Sequence, residues 1–380
     1  MILGIDASNI RGGGGVTHLV ELLKAANPIQ YGFEKVYIWG GKYTLDCIDD
    51  RNWLQKREEN FLNKSLPYRV FWQKFILSKR AVELSCDILF IPGSSYSGNF
   101  RPYATLSQNL LPFEWKEMKR YGFSWQLIRL ILLRIVQSST FKKADGVIFL
   151  TNYAKKCILN LIGTTTGINT IIPHGINLDF EKDVKLQKDI ILYTKENPFR
   201  LLYVSMIDMY KHQWNVCRAV ANLYNKGFHL RLDLIGPAYK PALKKLNQSL
   251  ESLNNYPIFY QGQIQHKDLK DWYSKADLFV FASSCENMPI ILMESMVAGL
   301  PIASSDFGPM PEVLENNGVY FNPEDSESIS SSIQILIDSK ELRTKMAKKS
   351  HASIKTYSWQ KCANDTFQFL QDVIQKKGRK

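Results

Sequence analysis

The chain has 380 residues, 45% of them hydrophobic and 22% charged, a balance that excludes a disordered or fibrous polymer and leaves room for two ordinary hydrophobic cores. Its 48 Lys and Arg against 36 Asp and Glu give a formal charge of +12, which favours anionic partners without choosing among nucleic acid, lipid headgroups and phosphorylated substrates. Six scattered cysteines with no CxxC pair speak against a zinc ribbon or a disulfide framework, and no HExxH or DxD sequence calls for a metal, so no cofactor is expected.

The chain opens on MILGIDAS without a basic and then apolar leader, and a cytoplasmic protein is expected. Ile2–Ala7, Lys35–Trp39, Ile88–Ile91 and Gly146–Leu150 read as short apolar strands separated by helical patterns, the signature of a parallel sheet covered by helices. Gly12 to Gly15 follow the first strand and precede a helix expected near Val16; glycines there let the backbone approach a ligand closely. Thr17 stands where the last glycine of GxGxxG belongs, so a dinucleotide fingerprint is not supported. The run from Leu127 to Val136 contains Arg129 and Arg134 and is too short to cross a bilayer. The surrounding segment from Trp115 to Lys143 adds Lys116, Lys119 and Arg120. It reads either as a core helix with solvated cations or as a helix lying on an anionic membrane surface at the inner face.

Glu181 to Pro198 is polar and reads as a linker between a first domain over 1–185 and a second over 195–357. In the second domain Leu201–Ile207, Leu230–Ile235, Leu278–Ala282 and Pro301–Ser304 repeat the strand pattern. Ser358 is placed to cap a closing helix over 359–375, and Lys376–Lys380 reads as a solvated basic tail within the segment 358–380.

The chemistry concentrates between Ala276 and Leu314. A strand ends in a polar loop holding Glu286, a helix begins near Pro289, and Glu294 lies about a turn and a half inside it. Free N–H groups at the helix start, flanked by two carboxylates, suit a diphosphate with hydroxyl groups on both sides, which is the layout of a sugar nucleotide.

Glu286 and Glu294 form an E-x7-E pair that resembles the signature of retaining GT-B glycosyltransferases, specifically glycosyltransferase family 4. Pro289, the turn Ala298-Gly299-Leu300-Pro301, and the Gly308-Pro309 and Pro311-Glu312 pairs are similar to that family as well. The resemblance implies an α/β fold of two Rossmann-like domains, with parallel sheets facing across a cleft, the first binding acceptor and the second the nucleotide-sugar. It further implies a cation contacting the diphosphate at Lys211 in YVSMIDMYKHQ, although Met206 and Ile207 stand where relatives often carry an additional arginine. Catalytic roles fall on Glu286 and Lys211, and donor contacts on Gly14, Gly15, Ser205, Asn287, Met288, Pro289, Ile290 and Glu294. In LSQNLLPFEW, Gln108 and Asn109 fall on the acceptor side.

The expected activity is a metal-independent, retaining transfer of a sugar from a nucleotide-sugar donor to a glycan or lipid-linked glycan, in bacterial surface polysaccharide or lipopolysaccharide synthesis. A sugar-nucleotide epimerase on the same fold is an alternative. A nucleic-acid partner is not expected, because no RNP-like aromatic set or basic recognition helix accompanies the charge.

Overall fold

A computed structural model describes residues 1–378 of the chain. They form two compact units, one of 1–118, 122–175 and the segment from Tyr357 onward, the other of 119–121 and 176–356.

The first unit is built on seven parallel strands, β1 (Ile2–Asp6), β2 (Lys35–Gly40), β3 (Leu54–Glu58), β4 (Ile88–Ile91), β5 (Tyr103–Leu106), β6 (Gly146–Phe149) and β7 (Ile168–Ile171), in the order β3-β2-β1-β4-β5-β6-β7. Leu3 pairs with Val36 on one side and Ile88 on the other, so the order reverses direction between β1 and β4. The helices are α1 (Gly13–Ala25), α2 (Lys42–Asp46), α3 (Leu66–Phe75), α4 (Leu77–Glu83), α5 (Trp115–Lys119), α6 (Trp125–Lys143) and α7 (Asn152–Ile162). Right-handed crossovers put α1 and α2 on one face, and α3, α4, α6 and α7 on the other, because the chain leaves β1 in opposite directions along the sheet. The central strands β4 and β6 are wholly buried apolar runs, as a sheet covered on both faces requires. The edge strands β3 (LQKRE) and β7 (INTI) are partly exposed and more polar, which removes the apolar signal that would have announced them.

In the second unit β8 (Phe199–Val204), β9 (Leu230–Ile235), β10 (Ile258–Tyr260), β11 (Leu278–Phe281), β12 (Ile302–Ser305) and β13 (Val319–Phe321) form a second parallel sheet, order β10-β9-β8-β11-β12-β13. Its helices are α8 (Gln213–Asn225), α9 (Lys240–Ser252), α10 (Leu269–Lys275), α11 (Ile290–Val297), α12 (Met310–Leu314), α13 (Ser326–Asp338) and α14 (Lys340–Ser353). Here the direction reverses between β8 and β11, and the loops that follow these two strands are therefore the natural ligand crevice of the sheet.

Two boundaries differ from expectation. The first unit gives way at Gly175 rather than at 185, and 181–198 is not a free linker but packs within the second unit. Lys185 Nζ lies 2.6 Å from Asp277 Oδ1, the Tyr193 hydroxyl donates to the same carboxylate at 3.1 Å, and Gln187 accepts from Arg343 Nε at 3.1 Å. The closing helix α15 (Trp359–Gly378) is capped by Ser358, whose Oγ accepts from Lys361 N at 3.2 Å, and it runs three residues past the expected end. It belongs to the first unit, packing on α1, β4 and β6. A Cβ added at Gly175 would lie 2.2 Å from the Trp359 nitrogen, so only glycine admits that approach. Arg379 and Lys380 of the basic tail lie outside the described residues. Among the described residues no helix is long and apolar enough to cross a membrane.

Candidate functional site

The loop after β8 carries Lys211, and the loop after β11 carries Glu286, so the two residues meet at the point where the strand order reverses. Lys211 Nζ forms an ion pair with Glu286 Oε1; the lysine is 7% exposed and its ammonium also sits 5.0 Å from the Tyr210 ring centroid and 5.4 Å from that of Phe281. Backbone bonds fix both loops. The Tyr203 hydroxyl donates to Lys211 O at 2.7 Å, and Ser284 N donates to Tyr210 O at 2.8 Å. His212, in the left-handed conformation at φ 51, pairs its Nε2 with Ser284 Oγ at 2.9 Å and caps α8. Ser205, buried at the end of β8, donates its N–H to Ile235 O at 2.8 Å. Gly308 closes the other side: a Cβ there would lie 3.8 Å from Glu286 N.

Asn287, Met288 and Pro289 lead into α11, with Asn287 and Met288 buried. Pro289 is the cap and Ile290 the first helical residue, one position later than expected. α11 is an interior helix, and Glu294 on it is 5% exposed rather than solvated. A carboxylate at such a position needs partners. Its Oε2 accepts from the Tyr273 hydroxyl at 3.1 Å, and its Oε1 lies 3.2 Å from His266 Nε2. The hydrogen bond to Glu294 raises the His266 pKa above its usual value, and burial, followed by the same carboxylate, pushes the Tyr273 phenol well up. Phe180 packs edge-on against His266 with centroids 4.9 Å apart. Beside the Lys211 loop, Asp208 accepts from the Tyr121 hydroxyl at 2.8 Å, and burial raises its carboxyl pKa.

The remaining expected site residues belong to the first unit. α1 begins at Gly13, earlier than the expected Val16, so the glycine run is itself the first turn of the helix. Cβ atoms at Gly12, Gly13 and Gly14 would meet open space, whereas one at Gly15 would stand 3.0 Å from Gln108 Oε1. Gln108 N donates to Ser94 Oγ at 3.1 Å, which brings the loops after β1, β4 and β5 together; Asn109 is exposed beside them and accepts from Leu111 N at 3.1 Å. His174 is buried against His18, with their Nδ1 atoms 2.7 Å apart and Trp359 tilted against both rings. Sequence reasoning missed His266, Tyr273, His212 and Ser284. His212 stands inside the YVSMIDMYKHQ segment, but its left-handed backbone leaves no trace in the residue order. Among the described residues no group of three or more His, Cys, Asp or Glu is gathered as a metal site would gather them.

Residues 187–352, which hold the whole Lys211, Glu286 and Glu294 arrangement, match the family described as Glycosyl transferases group 1. The chain is 27% identical over 135 residues to the sulfoquinovosyl transferase SQD2 of Arabidopsis thaliana, covering 34% of the chain and 25% of that protein. The next two curated relatives are covered over 29% and 63% of their length, so the chain spans less than two thirds of each of these. It is 24% identical to the N,N'-diacetylbacillosaminyl-diphospho-undecaprenol alpha-1,3-N-acetylgalactosaminyltransferase of Campylobacter jejuni, over 81% of the chain and 80% of that enzyme. Among solved structures, the sucrose-phosphate synthase of Thermosynechococcus elongatus superposes with a TM-score of 0.76 at 17% identity, covering 99% of this chain and 100% of its own. That likeness and the two parallel sheets give the GT-B class of fold.

Proposed function

We propose that the chain is a retaining, metal-independent glycosyltransferase that moves a sugar from a nucleotide-sugar to a glycan or lipid-linked glycan in bacterial surface polysaccharide synthesis, on the cytoplasmic side of the membrane. The observation that carries the reading is the Lys211–Glu286 ion pair at the strand-order reversal, next to the start of α11, with buried Glu294 on the same helix. A nearly buried ammonium beside the N-terminal end of α11 supports binding of a diphosphate, since the charge and the helix dipole both stabilise an anion with little competition from water.

In this reading the donor diphosphate takes Lys211 over from Glu286, the freed Glu286 accepts hydroxyls of the transferred sugar, and Asn287, Met288, Pro289 and Ile290 line the diphosphate. Ser205 contributes a contact at the end of β8. Glu294 accepts the ribose hydroxyls once His266, whose side chain is 61% exposed, swings away. In the first unit, Gly14 and Gly15 permit close approach of substrate, and Gln108 and Asn109 receive the acceptor.

Transfer with retention needs no protein nucleophile when the acceptor oxygen enters on the face from which the diphosphate departs and the leaving oxygen takes the acceptor proton. Positioning and charge stabilisation then carry the rate. The metal-independent part of the proposal rests on Lys211 and the N–H groups taking the role of a divalent ion. The lipid-linked acceptor takes its support from the Campylobacter relative, named for transfer to a diphospho-undecaprenol sugar. Incubation with UDP-, GDP-, ADP- and dTDP-sugars and a glycan acceptor, with product anomers read by proton NMR, tests the reading. We expect one donor class to give product of unchanged anomeric configuration with EDTA present. An inverted product, or turnover that EDTA abolishes, contradicts it.

A further inference from the structure

α6 is amphipathic the wrong way round for a helix that covers a sheet. Its inner side is Leu130, Gln137, Thr140 and Phe141, while Trp125, Ile128, Leu132 and Ile135, spaced as one helical stripe, are 74%, 49%, 54% and 61% exposed. Phe123, just before the helix, is fully exposed. The stripe continues past Ser138 and Ser139 into a groove of about 440 Å³ against α7, lined by Arg134, Lys142, Lys143 and Leu161. The nineteen residues of α6 include no Asp or Glu.

The same layer of the unit carries a second surface of this kind. α3 exposes Leu66, Tyr68, Phe71 and Phe75, again with no carboxylate in the helix, and Lys64 and Lys74 lie over the Tyr68 and Phe75 rings at 5.0 and 5.2 Å. One loop ties the two together, since Ser97 N donates to Gln73 Oε1 of α3 at 2.9 Å while Tyr96 N donates to Thr140 Oγ1 of α6 at 3.0 Å. Large apolar side chains, several of them aromatic, interleaved with unopposed cations over two helices of one layer, are a poor surface for water and a good one for the headgroup region of an anionic bilayer.

We propose that the α3–α6 layer is a membrane-docking surface, on which the α6 stripe enters the acyl boundary and the Arg134, Lys142 and Lys143 groove holds the phosphate of an anionic lipid headgroup. The inference deepens the lipid-linked reading of the acceptor, because it brings the enzyme to the surface where such an acceptor lies. It commits to a bilayer rather than to a second copy, since two cationic copies facing each other would oppose like charge across the contact.

The test is sedimentation of the full chain with vesicles of phosphatidylcholine alone and of phosphatidylcholine with about one third phosphatidylglycerol, in rising salt. Binding is expected only with the anionic lipid and is expected to weaken with salt. Ile128→Ser/Leu132→Ser/Ile135→Ser should abolish it, and Arg134→Gln/Lys142→Gln/Lys143→Gln should lower the partition coefficient about a hundredfold. All changed side chains are exposed or line the surface groove, and circular dichroism of both variants confirms folding. A wild-type chain that stays in the supernatant, or a serine variant that sediments like wild type, overturns the proposal. So does a wild-type dimer that the serine substitutions split into monomers. Nucleotide-sugar hydrolysis, measured without vesicles, is expected to be unchanged in both variants, so its loss in the wild type defeats the transferase reading without touching the docking surface.

Discussion

Lys211, Glu286 and Glu294 divide the proposed chemistry by environment. Lys211 has one carboxylate partner and two aromatic faces, an arrangement in which the ammonium is held but remains available to a more highly charged anion. Removing it should cost transition-state stabilisation of the leaving diphosphate, so Lys211→Met is expected to lower kcat about a hundredfold or more in the transfer assay. Glu294→Gln keeps shape but trades a charged acceptor for a neutral one, and donor KM is expected to rise roughly tenfold, with a smaller change in kcat. The spacing of the two glutamates was readable from the chain. The partners of Glu294 were not, because Tyr273 and His266 come from a separate helix and the turn before it, and only the fold brings them to α11.

A second residue-scale consequence concerns His18 and His174. Burial lowers both pKa values, that of His18 well below 6.5 with His174 adding to the effect, and that of His174 to about 4. A bond between two Nδ1 atoms needs one ring to donate and the other to accept, and a doubly protonated ring can only donate, so protonating both rings leaves no acceptor. The unfolded chain therefore binds more protons than the folded one below about pH 6.5. Their contribution is intact above that pH and falls as pH drops toward 4, by up to about 1.4 kcal/mol per pH unit for each histidine. Urea unfolding between pH 7.5 and 5 should show the midpoint falling, and His18→Gln should flatten the slope. A midpoint independent of pH over this window contradicts the assignment.

At the level of elements, legibility followed burial. The central strands β1, β2, β4, β6, β8, β9, β11 and β12 announce themselves by their apolar residues, whereas β3, β7, β10 and β13 at the sheet edges do not, and β5, although buried, is the exception among the central strands. α6 was ambiguous for the opposite reason: its apolar content cannot tell an inward stripe from an outward one until the sheet beneath it is placed. The approach of α15 to the turn after β7 is another feature that the order of residues hides. Gly175→Ala puts a Cβ 2.2 Å from the Trp359 nitrogen and 2.5 Å from its ring, so the helix start must shift. A destabilisation of about 1–3 kcal/mol is expected by chemical unfolding, and a wild-type midpoint would show that the contact yields freely.

For the whole chain, two parallel sheets and the family signature were legible, while the division between units was not. Composition marks 181–198 as polar and linker-like, yet Lys185, Gln187 and Tyr193 bond into the second unit, and the chain returns to the first only at Tyr357. The first unit thus depends on residues far along the sequence. Truncation after Thr356 removes buried Trp359, Phe367, Phe369, Leu370 and Val373, each contributing about 1.5–3 kcal/mol, which together is comparable with the 5–15 kcal/mol stability of an ordinary domain. The truncated chain is expected to lose the cooperative unfolding of its first unit. Retention of two cooperative transitions would show that α15 is dispensable.

Donor binding rests on an anion site at Lys211 and the start of α11. Titration calorimetry of UDP, GDP, ADP and dTDP into the wild-type chain and Lys211→Met, with EDTA in the cell, measures it directly. At least one nucleoside diphosphate should bind the wild type saturably with a one-to-one stoichiometry, and Lys211→Met should weaken that binding tenfold or more. Equal affinity in the two proteins, or no binding of any of the four, contradicts a diphosphate site at Lys211.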